Sequence, residues 1–156
     1  MNSNNKQPVI IGVDGGGTKV TAGIIEKHQD TFCLNKSSSN RYYLENPDFD
    51  IGFSPVNMRN QFRELQANEI KPTSAEIAQG KSIINSFRDV ILDLNINSPV
   101  LIGIGMVGLK TSDNRGIGAM ANGPRMPKFC AHLEQLLQDE NIGLKYPIRQ
   151  LGSDAD

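Results

Sequence analysis

Apolar residues in this chain cluster in short runs at both ends and follow a helical rhythm between them. Residues 9–13 and 19–26 are rich in β-branched side chains and predict two paired strands. Thr31-Phe32-Cys33-Leu34 predicts a third strand that completes a meander. Residues 35–55 are rich in Ser, Asn, Asp and Pro and read as loop, though Arg41-Tyr42-Tyr43-Leu44 is apolar enough to pack. Met58, Phe62, Leu65 and Ile70 suggest a short helix within 56–70. The pattern sharpens after residue 71. Pro72, Thr73 and Glu76 form a helix start, with Thr73 capping and Glu76 reaching back. Ile77, Gly80, Ile84, Phe87, Ile91 and Leu94 then recur at spacings of three and four, which marks one buried helical face. Gly80 costs about 1 kcal/mol against Ala in a helix, and close approach to a sheet would explain it.

Asn95, Asn97, Ser98 and Pro99 end that helix. The near-continuous apolar run from Val100 to Gly108 fits a central parallel strand, covered on both faces, that runs into a glycine turn. Residues 109–126 read as loop, with a turn at Thr111-Ser112-Asp113-Asn114-Arg115-Gly116. Pro127 opens a second helix with Phe129, Leu133, Leu136 and Leu137 on its inner face, closed by Asn141 and Gly143. Pro147-Ile148-Arg149-Gln150-Leu151 predicts a last strand before Gly152-Ser153-Asp154-Ala155-Asp156. The order β-β-β-α-β-α-β predicts an α/β domain: a mixed sheet of about five strands with helices packed on it.

Composition narrows the function. The 156 residues suit one domain, and an apolar fraction of 38% is adequate for a core. Net charge is −1 with no basic block, so nucleic-acid binding has no electrostatic support. The polar start Met1-Asn2-Ser3-Asn4-Asn5-Lys6-Gln7-Pro8 lacks the apolar core of a signal peptide, and no run approaches a membrane span. Cys33 and Cys130 lie far apart without metal-ligand spacing. The expectation is a cytoplasmic protein with reduced thiols. His28 and His132 read as surface residues, while Arg125 and Lys128 stay open between solvated and substrate-facing.

The chemistry concentrates between the first two strands, where Val13-Asp14-Gly15-Gly16-Gly17-Thr18-Lys19 joins an acid to three glycines, a hydroxyl and a cation. Glycines without Cβ atoms let backbone N–H groups face an anion at close range. An acid beside such a turn suggests a metal held against a phosphate. A P-loop is excluded because Thr18 separates Gly17 from the lysine. A dinucleotide fingerprint is excluded because Val20 occupies its third glycine position and a strand follows, not a helix.

V-D-G-G-G-T-K resembles the first phosphate motif of the sugar kinase, Hsp70 and actin superfamily, and most nearly that of ROK-like sugar kinases. Gly103-Ile104-Gly105-Met106-Val107-Gly108 resembles that family's G-I-G-x-P-G strand end, with Val107 in place of proline. Arg115-Gly116-Ile117 through Asn122-Gly123-Pro124 resembles its segment leading to an Asn near the sugar. Gly152-Ser153-Asp154-Ala155-Asp156 resembles N-D-A-N, with Ser153 in place of the usual Asn. The match is good over 9–26 and 100–156 and poor over 27–99. The resemblance implies a ribonuclease-H-like half-domain spanning 1–156, with an insertion at 35–71. It implies that Asp14 holds Mg²⁺ directly or through water, and that Gly15, Gly16, Gly17, Thr18 and Lys19 bind ATP phosphates. It places Gly108, Asn122, Ser153 and Asp154 at a sugar, with Asp154 as the catalytic base.

In this superfamily ATP lies between two such domains, so the resemblance implies that 1–156 is the N-terminal part of a longer kinase and inactive by itself. The parent would act on a hexose or amino sugar, with a homodimer as its expected assembly and neither nucleic acid nor membrane among its partners. Two alternatives remain. One is a BadF-type ATPase, although Cys33 and Cys130 lack the spacing of cluster ligands. The other is a sugar-sensing regulator, although the eight residues before Val9 are too few for a helix-turn-helix.

Overall fold

The computed structural model describes residues 7–153. Strands β1 (Val9–Gly15), β2 (Lys19–His28) and β3 (Thr31–Ser37) form the predicted antiparallel meander. A short strand β4 (Arg41–Tyr42) continues the outer edge by pairing with β2 beyond the end of β3. Helix α1 (Met58–Gln66) and the long helix α2 (Ser74–Leu92) precede β5 (Val100–Met106). A small hairpin, β6 (Leu109–Lys110) with β7 (Ile117–Ala119), leads to helix α3 (Phe129–Asp139) and to β8 (Leu151–Gly152).

The main sheet runs β3-β2-β1-β5-β8, with β4 also on β2. β1 is antiparallel to β2 and parallel to β5, which is parallel to β8. This is an α/β arrangement, a mixed sheet with helices packed on it, as the sequence predicts. Among the described residues, no helix is long and apolar enough to cross a membrane.

The α2 start follows from its local chemistry. Thr73 Oγ1 accepts from the Glu76 N–H at 3.2 Å, and Glu76 accepts from the Thr73 N–H at 2.8 Å. Each bond satisfies a donor that the first helical turn leaves unpaired. Gly80, Ile84, Phe87, Ile91 and Leu94 are buried along the predicted stripe, but Ile77 is 61% exposed. The helical period identifies the face correctly, and within the first turn Glu76 is buried while Ile77 lacks cover. Gly80 also serves another neighbour than the sheet. A Cβ there would lie 2.9 Å from Met126 Cγ, so it is the strap before α3 that comes close.

Phe87 is the hub of the core. It meets Phe129 edge-on at 4.9 Å between centroids and lies near-parallel to Tyr43 at 6.4 Å. Full burial of one such ring stabilises by roughly 1.5–3 kcal/mol. On α3, Phe129, Leu133 and Leu137 are buried as expected, whereas Leu136 is only partly covered and Cys130 is fully buried. Asn141 takes the left-handed conformation (φ 60°) just beyond the helix.

Two expectations change. Residues 109–126 hold the β6–β7 hairpin as well as loop, closed around the turn at 111–116 where Asn114 takes φ 57°. The predicted strand over 147–151 shrinks to Leu151–Gly152. Its lost part has its polar groups engaged elsewhere. The Ile148 N–H donates to Glu134 at 2.7 Å, and the Ile148 carbonyl accepts from Arg115.

Candidate functional site

Alternation along β1 decides what Asp14 can do. Ile11, Val13 and Gly15 are buried, while Asp14, on the opposite face, is exposed at the strand's end. Asp14 is in register with Thr21 on β2 and with Gly105 on β5, and Gly105 is in register with Gly152 on β8. The carboxyl ends of the three parallel strands β1, β5 and β8 therefore form one row. At about 4.8 Å between strands, Gly152 lies roughly 10 Å across the sheet from Asp14. Ligands of open α/β sheets bind beyond such strand ends.

The three glycines of the turn play different parts. None of them takes a left-handed φ. Gly15 is a packing residue: a Cβ there would lie 2.2 Å from Phe87 Cζ and 2.8 Å from Met106 Sδ. The Gly16 N–H closes the turn on the Lys19 carbonyl at 2.9 Å. Gly17 has nothing within 4 Å of where its Cβ would be. Neither conformation nor packing requires glycine at position 17, and the open space leads directly to the backbone. Among the described residues, no hydrogen bond takes the N–H of Gly17 or of Thr18. Thr18 and Lys19 are exposed beside them.

Tyr43 braces this turn and was not legible as a site residue. Its hydroxyl donates to the Gly16 carbonyl at 3.0 Å, and its N–H donates to the Thr18 carbonyl at 2.9 Å. The ring is buried against Phe87. The signal available in the sequence was a tyrosine pair inside an otherwise polar loop. The carboxyl end of β5 is joined to the same turn, since the Val107 N–H donates to the Gly15 carbonyl at 3.3 Å.

The residues implied at a sugar are arranged less tightly. Gly108 takes φ 95°, and a Cβ there would lie 2.8 Å from the Ala119 carbonyl oxygen. Glycine is thus required where β5 turns into β6. Lys110 holds that turn, with its ammonium donating to the carbonyls of Met106 at 2.5 Å and Gly108 at 2.7 Å. Asn122 is exposed two residues beyond Met120. Buried Gln61 fixes that stretch by accepting from the Met120 N–H at 2.8 Å and donating to its carbonyl at 3.2 Å. Ser153 is exposed next to Gly152. Asp154 lies outside the described residues.

Arg125 is buried in an ion-pair network. Only 2% exposed, it pairs bidentately with buried Glu76 (2.7 and 2.6 Å) and reaches Glu64 at 2.5 Å. The network ties α1, α2 and the strap before α3 together. A hydrogen bond from the Lys71 N–H holds the Glu64 carboxyl below its usual value, with Arg125 acting the same way. Burial pushes the Glu76 carboxyl up, but Arg125 and the Thr73 N–H outweigh it and leave it lowered. Lys128, by contrast, is exposed. Burial raises the Cys130 thiol to about 12, while Cys33 is exposed. His28 and His132 are exposed.

Among the described residues, no cluster of three or more His, Cys, Asp or Glu could hold a metal alone. A lone exposed carboxylate beside an open backbone turn fits Mg²⁺ nonetheless. That ion keeps several waters and is commonly held by one or two carboxylates plus substrate phosphates.

No protein-family model and no curated protein matches the chain. Among solved structures it is similar to the Aquifex aeolicus PPX-GPPA enzyme, at 7% identity and a TM-score of 0.37, over 94% of this chain and 36% of that one. It is also similar to the type II variant of the Aquifex aeolicus Ppx/GppA phosphatase, at 6% identity and a TM-score of 0.37, over 95% of this chain and 36% of that one. The chain thus spans 36% of the length of these solved chains, and at such identities no residue role passes between them.

Proposed function

We propose that the strand ends at Asp14, Gly105 and Gly152 form the phosphate-binding half of an ATP-dependent kinase acting on a hexose or amino-sugar hydroxyl. The observation that carries this reading is the Gly17–Thr18 backbone: two N–H groups without partners among the described residues, an open approach, and Asp14 alongside. These N–H groups, with the Thr18 hydroxyl and the Lys19 ammonium, would bind phosphate oxygens. Asp14 would hold Mg²⁺ directly or through water, and the ion when bound would supply charge neutralisation on the phosphates. Gly15 contributes by letting the turn sit on Phe87, and Gly16 by closing it.

The chain leaves β8 at Gly152, in the same row as Asp14, and continues into Ser153 and Asp154. An acid at Asp154 would take the proton from the sugar hydroxyl, which contributes typically ~10²–10⁴-fold. Positioning and charge stabilisation do most of the remaining work in phosphoryl transfer. Ser153 would offer the sugar a hydroxyl where the related motif has an amide.

The test is a panel of hexoses and amino sugars with Mg·ATP on the full-length protein, together with Mg·ADP titration of this chain. Phosphorylation of one sugar, and nucleotide binding that weakens in Asp14→Asn, is the expected result. Nucleotide binding equal in the native chain and Asp14→Asn would remove the metal role. No phosphorylation across the panel would remove the kinase.

A further inference from the structure

A concavity lies away from the strand ends. Helices α2 and α3 and the strap at 125–128 enclose a groove of about 570 Å³. Its walls are apolar, with Ile77, Ile84, Met126 and Leu136 lining it. Ile77 is 61% exposed although it continues the buried stripe of α2, so the stripe has an apolar end that the described residues leave uncovered. Gly80 and Met126 keep the floor compact, since Gly80 has no Cβ to push Met126 away.

Among the described residues lining this groove, the charges outside the Glu76–Arg125 ion pair are of one sign. Lys81 and Lys128 are exposed at its rim, with His132 on the same side of α3 as Gln135. Among the described residues, the only carboxylate in the lining is Glu76, and both its oxygens are engaged by Arg125. Among the described residues, the groove therefore offers an apolar channel with cations at its mouth and no unpaired anion. Its size falls in the range of about 300–1,000 Å³ that encloses small ligands.

We infer that this groove binds a medium-chain monocarboxylate, its tail against Ile77, Ile84, Met126 and Leu136 and its carboxylate at Lys81 and Lys128. The site is separate from the Asp14 turn and does not depend on the function proposed for it. A neutral or cationic amphiphile gains the same apolar contact but not the charge pairing, so the groove selects anions.

Titration of the purified chain with hexanoate, octanoate and decanoate, followed by NMR or calorimetry, tests this. The expected result is saturable binding that tightens about four-fold per methylene, with shifts confined to α2, α3 and the strap. Lys81→Glu with Lys128→Glu should weaken decanoate at least ten-fold and admit decyltrimethylammonium. Ile77→Glu should abolish binding. A urea melt of that variant matching the native one, as expected for an exposed position, separates lost binding from lost fold. Several results would overturn the inference: no saturable decanoate binding, binding unchanged in Ile77→Glu, or equal binding of decyltrimethylammonium by the native chain. So would sedimentation showing a dimer that Ile77→Glu dissociates, since a second copy would then be the occupant.

Discussion

Substituting alanine at Gly15 and at Gly17 separates the packing role of the turn from its binding role. The two residues are two positions apart and differ completely in surroundings. At Gly15 the new methyl would lie 2.2 Å from Phe87 Cζ, 2.9 Å from Phe87 Cε1 and 2.8 Å from Met106 Sδ. Phe87 is fully buried and held between Tyr43 and Phe129, so its ring cannot move aside without disturbing both. Overpacking of this kind costs typically ~1–3 kcal/mol, and the distances put Gly15→Ala at the upper end. With an m-value of about 1–3 kcal/mol/M in urea, the midpoint should fall by roughly 1 M or more. At Gly17 the methyl meets nothing within 4 Å, and φ is not left-handed. Stability should then be unchanged or raised by about 0.4–1 kcal/mol through the unfolded state. Binding should respond in the opposite order. Gly17→Ala places a methyl in the approach to the free N–H groups and should weaken Mg·ADP about ten-fold, a loss of about 1.4 kcal/mol. Urea denaturation and calorimetric titration of the two variants provide both readings. If Gly17→Ala binds nucleotide like the native chain while remaining folded, the turn is not the phosphate cradle. If Gly15→Ala is as stable as the native chain, the packing argument is wrong.

The Arg125 network makes a prediction with a sign. Arg125→Met leaves buried Glu76 unpaired and should cost about 3–5 kcal/mol at neutral pH. In the native chain both glutamates are held below 4.5, so their contribution is present above that value and is lost as pH falls through the lowered one. In Arg125→Met burial is opposed only by the N–H groups of Thr73 and of residue 125, so Glu76 rises from its native value and the stability lost on acidification should be smaller than in the native chain; urea melts across the acid range compare the slopes. Iodoacetamide at pH 8 should modify Cys33 in the native chain and reach Cys130 only after unfolding, because the buried thiol stays protonated up to about 12; mass spectrometry of equal labelling would contradict this. In the full-length protein, Asp154→Asn should lower kcat by on the order of 10²–10⁴-fold with binding retained, and Asp156→Asn should do much less; the reverse order would place the base two residues later.

Some of this was legible because it depends on residues close together in the chain. The capping box at Thr73 and Glu76 closes within one helical turn, and the buried stripe of α2 follows from its 3.6-residue period. The same holds for the β1 and β2 strands and the glycine turn between them. What the sequence left open depends on distant partners. Arg125 reads as a surface or substrate residue until Glu76 and Glu64, 49 and 61 positions away, surround it. Tyr43 is a loop aromatic until folding places it under the carbonyls of Gly16 and Thr18.

The strand predicted over 147–151 illustrates the same division. Its residues have strand character, but Glu134 and Arg115 take the backbone groups of Ile148 before a ladder can form. Local pattern determined which faces are apolar, where α2 begins and where an acid meets an open glycine turn, because propensity, period and capping act over a few residues. Tertiary structure decided which apolar positions find cover, as Ile84 does and Ile77 does not, and which charges are buried with partners. Pairing, and whether a given apolar position finds cover, depend on surfaces brought together from remote parts of the chain, which local pattern by itself does not fix.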